Sequence, residues 1–125
     1  MLSDARIDAA LPASDLERAR RFYEEKLGLT PASELEGGLV YEGAEGTRFL
    51  LFTSFGAPSG DHTQIGFTVS DFDAELAELR SRGVVFEEYD LPGLKTVDGV
   101  AEFGAGKTAW FKDSEGNVLS IAYMG

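Results

Sequence analysis

The only histidine of the chain lies in the stretch DHTQIGFTVSD, two residues before a glutamine. Residues two apart in a strand point to the same face, so His62 and Gln64 are predicted to share one side of a strand. Imidazole is the commonest metal ligand among side chains and titrates close to neutral pH. The pair therefore predicts part of a metal site or a proton-handling group. The alternative interpretation is that His62 is a partly exposed residue at the end of a strand and has no chemical role.

Two segments repeat with a shift of 56 residues, RIDAALPASDLERARRFYEEKLGL from Arg6 and HTQIGFTVSDFDAELAELRSRGVV from His62. Each begins with alternating apolar residues, which predict a half-buried strand, and continues with apolar residues three and four apart, which predict an amphipathic helix. Ser14 and Ser70 stand at the predicted N-caps, and Ser14 with Glu17 has capping-box spacing. The predicted buried positions are Ile7, Ala9, Leu11, Leu16, Ala19, Phe22, Tyr23 and Leu27 in the first copy, and Ile65, Phe67, Val69, Phe72, Leu76 and Leu79 in the second.

Short strands broken by glycine are predicted after each helix. They are TPASELE, GLVYEGA and TRFLLFT in the first copy, and VVFEEYD, VAEFGAG, KTAWFKD and NVLSIAY in the second. The sequence thus predicts one domain over residues 1–125, with a first module at about 6–54, a linker at 55–61 and a second module at about 62–125.

The composition excludes several functional classes. Eleven Lys and Arg against 22 Asp and Glu give a net charge of −11, so we expect no nucleic-acid partner. The absence of Cys excludes disulfides, thiolate nucleophiles and sulfur-rich zinc sites. No apolar run approaches the about 18 residues of a membrane span, and the N-terminal residues lack the pattern of a signal peptide. We therefore expect a soluble, cytoplasmic protein without membrane contact.

Three motifs resemble the vicinal oxygen chelate superfamily, which includes glyoxalase I, extradiol dioxygenases, fosfomycin resistance proteins and bleomycin resistance proteins. They are LPASDLERARRFYEEKLGL, FTVSDFDAELAELRSRGVVF and AWFKDSEGNVLSIAY, and together they span nearly the whole chain. The resemblance implies an α+β fold of two βαβββ modules that form a curved mixed sheet around a cavity, with the helices outside. It also implies a homodimer. The sequence leaves open whether the two modules close on each other within one chain or between partners.

Metal-dependent members of that superfamily hold an ion at four strand positions, which match Asp8, Leu50, Gln64 and Ser120 here. A catalytic ion needs several charged or imidazole donors, and only Asp8 is a strong donor in this set. We therefore expect no metal and no cofactor. A loose site made by His62 and Asp8 with waters is a minor alternative.

The cavity implied by the resemblance is predicted to bind a small molecule. The expected ligand-binding residues are Asp8, Leu50, Phe52, His62, Gln64, Trp110 and Ser120. Asp8 is the strongest of them, because a carboxylate on an inner strand face must meet water, a donor or a ligand. Aromatic side chains on strands more often pack in a core, which is the alternative role of Phe52 and Trp110.

Three functions fit these observations. The first is a metal-free binding protein similar to bleomycin resistance proteins, which takes a ligand with aromatic or apolar parts and a cationic or amine group. The second is a glyoxalase-like lyase or transferase, or a dioxygenase-like enzyme, with an unconventional site around Asp8, His62 and Gln64. The third is a regulatory or assembly module without a ligand.

Overall fold

The computed structural model describes residues 1–4, 7–54 and 62–125, so the predicted linker at 55–61 lies outside the described residues. Within these ranges, two α-helices and ten strands form in the order βαβββ and then βα followed by five strands. The first module holds β1 (Ala9–Ala13), α1 (Leu16–Leu27), β2 (Ser33–Leu35), β3 (Gly38–Glu42) and β4 (Arg48–Thr53). The second holds β5 (Ile65–Thr68), α2 (Phe72–Ser81), β6 (Asp90–Leu91), β7 (Leu94–Lys95), β8 (Ala101–Phe103), β9 (Gly106–Lys112) and β10 (Val118–Tyr123). Neither helix within the described ranges is long and apolar enough to cross a membrane.

Each module forms its own four-stranded mixed sheet, and the two sheets have the same design. The order is β1-β4-β3-β2 in the first sheet and β5-β10-β9-β8 in the second. In both, the first strand runs parallel to the last, and the other pairs are antiparallel. This arrangement confirms the α+β fold of repeated modules. The second module additionally contains a short hairpin of β6 and β7.

Both helices begin one residue later than the sequence predicts, so the N-cap predictions at Ser14 and Ser70 are wrong. Asp15 caps α1 by accepting a hydrogen bond from the Arg18 backbone N–H at 3.1 Å, and Asp71 caps α2 in the same way. A carboxylate is as good a cap as a hydroxyl and also complements the positive end of the helix dipole. The helix α1 ends at Gly28, whose φ of 70° is in the left-handed region that favours glycine.

The apolar stripes of the two helices pack on their sheets and form one continuous core. Tyr23 of α1 is fully buried and contacts the rings of Tyr41 and Phe49, which stack on each other at 5.0 Å. Phe49 also meets Phe67 of the second module edge to face, with ring centroids 6.2 Å apart. The modules therefore meet through the sheet faces that carry the helices.

Two predicted strand segments differ in the structure. Ile7 precedes β1 and is 93% exposed, so the buried face of that strand begins at Ala9 and not at Ile7. In VVFEEYD, only Phe86 forms an isolated bridge, to Phe111, and Asp90 belongs to the β6–β7 hairpin. The apolar run at 84–86 is instead used for packing, because Val84 and Phe86 join the core while the intervening residue stays exposed.

A buried polar cluster at the turn between β9 and β10 joins the modules. Asn117 is fully buried, and its Nδ2 donates to the backbone oxygen of Pro12 at 3.0 Å and to Oδ2 of Asp113 at 2.9 Å. The hydroxyl of Tyr23 donates to the same Asp113 oxygen at 2.8 Å. Burial, together with the neighbouring Asp113, raises the pKa of Tyr23 well above its usual value, so the phenol stays protonated and acts as a donor.

Glu115 in the same turn makes an ion pair with α1. Its Oε2 accepts from Nε of Arg18 at 2.8 Å, and its Oε1 accepts from the backbone N–H of Asp15 at 3.0 Å and from Ser14 at 3.2 Å. The carboxylate is only 1% exposed. The hydrogen bond from Arg18 is the main reason why the pKa of Glu115 falls to about 2, against the opposing effect of burial. Ser14, predicted as a helix cap, thus helps to hold the second module.

Candidate functional site

The first sheet has an apolar face on the side away from its helix. Leu50 and Phe52 alternate along β4 with the buried Phe49 and Leu51, so they point to the opposite face. Across the strands, Leu50 lies beside Ala10 and Val40, and Phe52 lies beside Pro12 and Gly38. The two predicted ligand-binding residues of this strand are therefore adjacent on one half-buried apolar surface, which we name the first open face.

Asp8 borders this first open face just before β1 and is held by an arginine. Nη2 of Arg48 lies 3.1 Å from Oδ2 of Asp8, and Nε lies 3.3 Å from Oδ1, so the guanidinium contacts both carboxylate oxygens. The Asp8 side chain is 30% exposed, and the Arg48 side chain is 36% exposed. The hydrogen bond to Asp8 is the main reason why the pKa of Arg48 is raised, so the guanidinium keeps its positive charge. Asp8 therefore presents a charge that is largely balanced by Arg48.

The second sheet has a corresponding face on which Ser120 and Trp110 are cross-strand neighbours. Ser120 also lies opposite Gly66 on β5 and is 6% exposed. A Cβ at Gly66 would stand 2.8 Å from the Ser120 hydroxyl, so glycine leaves that hydroxyl its space. Gln64, just before β5, uses its side-chain oxygen to accept from the backbone N–H of Val118 at 3.3 Å. We name this surface the second open face.

Trp110 is half-buried and fixed in orientation by two neighbours. Its indole N–H donates to the hydroxyl of Thr63 at 2.8 Å. Its ring meets Tyr89 edge to face, with centroids 5.5 Å apart. Both contacts hold the indole plane at the second open face.

His62 does not share a strand with Gln64. The strand begins at Ile65, so the alternation that predicted a common face for the two residues does not reach His62. The side chain is exposed. The structure thus places His62 apart from β5, at the end of the segment that precedes it.

The predicted site residues form two groups within this chain. Asp8, Leu50 and Phe52 belong to the first open face, and Gln64, Trp110 and Ser120 belong to the second. Among the residues that the structure describes, no hydrogen bond or ion pair joins the two groups. The direct contacts between modules are made on the helix-bearing side, by Tyr23, Arg18, Phe49 and their partners.

The four positions that match metal ligands do not fit a divalent cation. Leu50 has no donor atom, and the Asp8 carboxylate is already engaged by Arg48. The Gln64 oxygen accepts a backbone hydrogen bond, which leaves the Ser120 hydroxyl as a weak neutral donor. Within the described ranges, no three His, Cys, Asp or Glu side chains come together in a way that could hold a metal ion.

The sequence analysis missed several residues that shape these faces. Arg48, Tyr89 and Thr63 contact predicted site residues directly. The strand register could have indicated Arg48. Ala10 of β1 and Leu50 of β4 are neighbours in a parallel pair, so the residues two positions before them, Asp8 and Arg48, also lie side by side. Tyr89 and Thr63 lie in irregular segments, so no periodicity indicates them.

The family model of the Glyoxalase/Bleomycin resistance protein/Dioxygenase superfamily matches residues 6–121. None of the curated protein sequences matches the chain.

Solved structures with the same fold include an antibiotic binding protein, a lyase and an oxidase. TnmS3, an antibiotic binding protein from Streptomyces sp. CB03234, is 24% identical over 96% of this chain and 97% of its own, with a TM-score of 0.71. Lactoylglutathione lyase from Agrobacterium tumefaciens is 17% identical over 97% and 94%, with a TM-score of 0.70. The oxidase ChaP-H2 is 23% identical over 98% and 95%, with a TM-score of 0.72.

At these identities the likeness to solved structures shows the fold alone. The family model, in contrast, covers nearly the whole sequence, including both repeated modules. The chain therefore belongs to the Glyoxalase/Bleomycin resistance protein/Dioxygenase superfamily.

Proposed function

We propose that this protein binds a small molecule without a metal, on the open faces of its two sheets. The observation that carries the proposal is the state of the four metal-ligand positions. Leu50 cannot coordinate, Asp8 is paired with Arg48, and the Gln64 oxygen is bonded to the backbone of β10. The fold thus keeps the curved sheets of its superfamily but not the donors of the metal-dependent members.

The side chains on the open faces suit a ligand with a flat apolar part. Phe52 and Leu50 offer an apolar surface on the first face, and Trp110 offers an aromatic ring on the second. Asp8 and Arg48 add a polar pair to the first face. A ligand that carries both a hydrogen-bond donor and an acceptor can bind the Asp8 carboxylate with its donor and the Arg48 guanidinium with its acceptor. The net charge of −11 favours a ligand that carries a cationic group.

The proposed site is completed by a second copy of the chain. The modules of one chain pack through their helix-bearing sides, which leaves both open faces turned away from that contact. In a homodimer, the first open face of one copy and the second open face of the other can enclose a ligand together. Small-molecule sites commonly lie at such junctions.

The fold neighbour that binds an antibiotic supports a binding role for this superfamily fold. Neighbours that are a lyase and an oxidase show that the same fold also serves enzymes. An enzymatic function for this chain would require a different donor set or a metal-free mechanism, and metal content separates the binding proposal from a metal-dependent enzyme.

The first test measures metal. The protein is purified without chelator, equilibrated with Ni²⁺, Zn²⁺, Mn²⁺ or Fe²⁺, and analysed by inductively coupled plasma mass spectrometry. We expect a substoichiometric metal content that does not change in Asp8→Asn. One tightly bound ion per chain that is lost in Asp8→Asn contradicts the proposal and favours an enzyme.

The second test uses the fluorescence of Trp110, the only tryptophan of the chain. A library of planar aromatic antibiotics, with metal-free bleomycin included, is titrated while the emission is recorded. Binding at the second open face should shift or quench that emission, and Phe52→Ala should weaken the same ligand by roughly ten-fold if both faces contact it. Glu36→Gln, at an exposed turn, is the matched control. The absence of any response across the library would favour a regulatory or assembly module.

A further inference from the structure

A cavity lies between the two modules, and of the residues described at the open faces only Gly66 lines it. Its volume is about 470 Å³, within the range of small-molecule pockets. The end of α1, the turn between β3 and β4, the strand β5 and one side of α2 surround it. Its lining contains none of Asp8, Leu50, Phe52, Trp110 or the other residues predicted from the sequence as ligand-binding.

The floor of this cavity is apolar. Phe111 and Ile121 are 1% and 3% exposed, and they are joined there by Phe67 of β5 and by Val69, which follows that strand. Leu27 and Leu29, at the end of α1, form the opposite wall and are only half-buried. Covering such a surface with an apolar group releases water and is favourable by about 25 cal/mol per Å².

Two carboxylates supply all the formal charge of the cavity lining. Glu45 lies in the turn between β3 and β4, and Glu75 lies on α2; both are exposed at the rim. Neither makes a side-chain hydrogen bond or an ion pair with any residue in the described part of the chain. Among the described residues, no Lys, Arg or His belongs to the lining. Negative charge above an apolar floor complements a ligand that is apolar at one end and cationic at the other.

We propose that this inter-module cavity binds a small hydrophobic amine. The apolar or aromatic part of the ligand lies against Phe67, Phe111 and Ile121, and the protonated amine lies between Glu45 and Glu75. These carboxylates repel an anionic ligand of the same shape and so weaken its binding. Because the cavity contacts α1 of one module and β5 and α2 of the other, a bound amine also stabilises the packing of the two modules.

The test compares three ligands of one shape and different charge. The binding of 4-phenylbutylamine, 4-phenylbutanol and 4-phenylbutyrate is measured by isothermal titration calorimetry near pH 7. We expect the amine to bind about five-fold to ten-fold more tightly than the alcohol, and the carboxylate to bind most weakly. Equal affinity for the three ligands, or no binding of the amine, overturns the proposal.

The charge is tested by the double variant Glu45→Gln, Glu75→Gln, whose substitutions are exposed and leave the core intact. This variant should bind the amine no more tightly than the alcohol. Glu25→Gln, at an exposed position of α1 outside the cavity, should bind the amine as the wild type does. If the double variant keeps the preference for the amine, the proposal is wrong.

The location is tested separately from the proposed function. Trp110→Phe alters the second open face and should leave the affinity for the amine unchanged, whereas Val69→Trp should fill the cavity and abolish binding. Chemical-shift changes in ¹⁵N–¹H spectra should centre on 66–69 and 43–47. Loss of binding in Trp110→Phe would place the amine at the open face and overturn the cavity proposal while supporting the other. If Val69→Trp does not fold, the double variant Glu45→Gln, Glu75→Gln still tests whether the amine binds in this cavity.

Discussion

Replacing Glu115 with glutamine removes a buried charge from the contact between the modules while keeping the shape of the side chain. In the wild type, this carboxylate accepts hydrogen bonds from Arg18, Ser14 and the backbone of Asp15. Glutamine at the same place has one oxygen instead of two and turns an amide N–H₂ toward the guanidinium. The variant should therefore be less stable at neutral pH, through a weaker attachment of the β9–β10 turn to α1.

The magnitude follows from the pKa of Glu115, which the hydrogen bond from Arg18 lowers to about 2 from an ordinary value of 4.5. A difference of this size corresponds to about 3 kcal/mol of stability. Because Arg18 is 48% exposed, solvent screening reduces the expected contribution to about 2 kcal/mol. The folded pKa is the lower one, so this stability is present above the unfolded pKa and is lost as the pH falls toward 2.

Urea unfolding followed by Trp110 fluorescence at several pH values measures this contribution. At pH 7, Glu115→Gln should lower the unfolding midpoint by about 1 M. Between pH 6 and pH 3, the difference in unfolding free energy between wild type and variant should shrink by about 1 kcal/mol or more. Glu36→Gln, the exposed control, should show neither effect. A difference that is below about 0.5 kcal/mol at pH 7, or that stays constant with pH, refutes the assignment of this ion pair as a joint between modules.

Three further substitutions test the buried polar groups by thermal and urea unfolding. Tyr23→Phe removes the donor to the buried Asp113 and should cost about 1–2 kcal/mol, and an unchanged stability would show that the bond contributes nothing. The Tyr41 hydroxyl is buried without a partner among the described residues, so Tyr41→Phe should be neutral or stabilising at pH 7; a loss above about 1 kcal/mol would reveal a partner. Burial raises the pKa of Tyr41 to about 12, so the wild type should also lose stability as the pH rises above about 10, and the Phe variant should lose less. Asn117→Ala leaves the Pro12 carbonyl without its donor and should cost about 2 kcal/mol, whereas a cost below about 0.5 kcal/mol would contradict its role in joining the modules.

Much of the fold was predictable because its signals are local. The alternation in β1 and β5 and the three-to-four spacing in α1 and α2 depend only on neighbouring residues, and the helix positions predicted as buried do pack against the core. The boundaries were less certain, since a serine and an aspartate are adjacent at each helix start and both residue types make good caps. The structure selects the aspartate in both modules and leaves Ser14 to Glu115.

The candidate site was predictable only in part. Alternation was sufficient to put Leu50 with Phe52 on one face, and the cross-strand register brings Trp110 beside Ser120. Whether Asp8 is available to a ligand depends on its cross-strand partner Arg48, which is identified only once the register of β1 with β4 is known. The same limit applies to the inter-module cavity, whose walls come from both modules.

The sequence by itself determined the repeated units and the acidic character, because both depend on residue type and on short-range spacing. Only the tertiary structure decided which faces of the two sheets pack together, which carboxylates are paired and where a cavity remains. Those outcomes depend on contacts between residues far apart in the chain, such as Arg18 with Glu115 and Phe49 with Phe67. Chain connectivity allows many such pairings, and the competition between burial of apolar surface and satisfaction of polar groups selects among them.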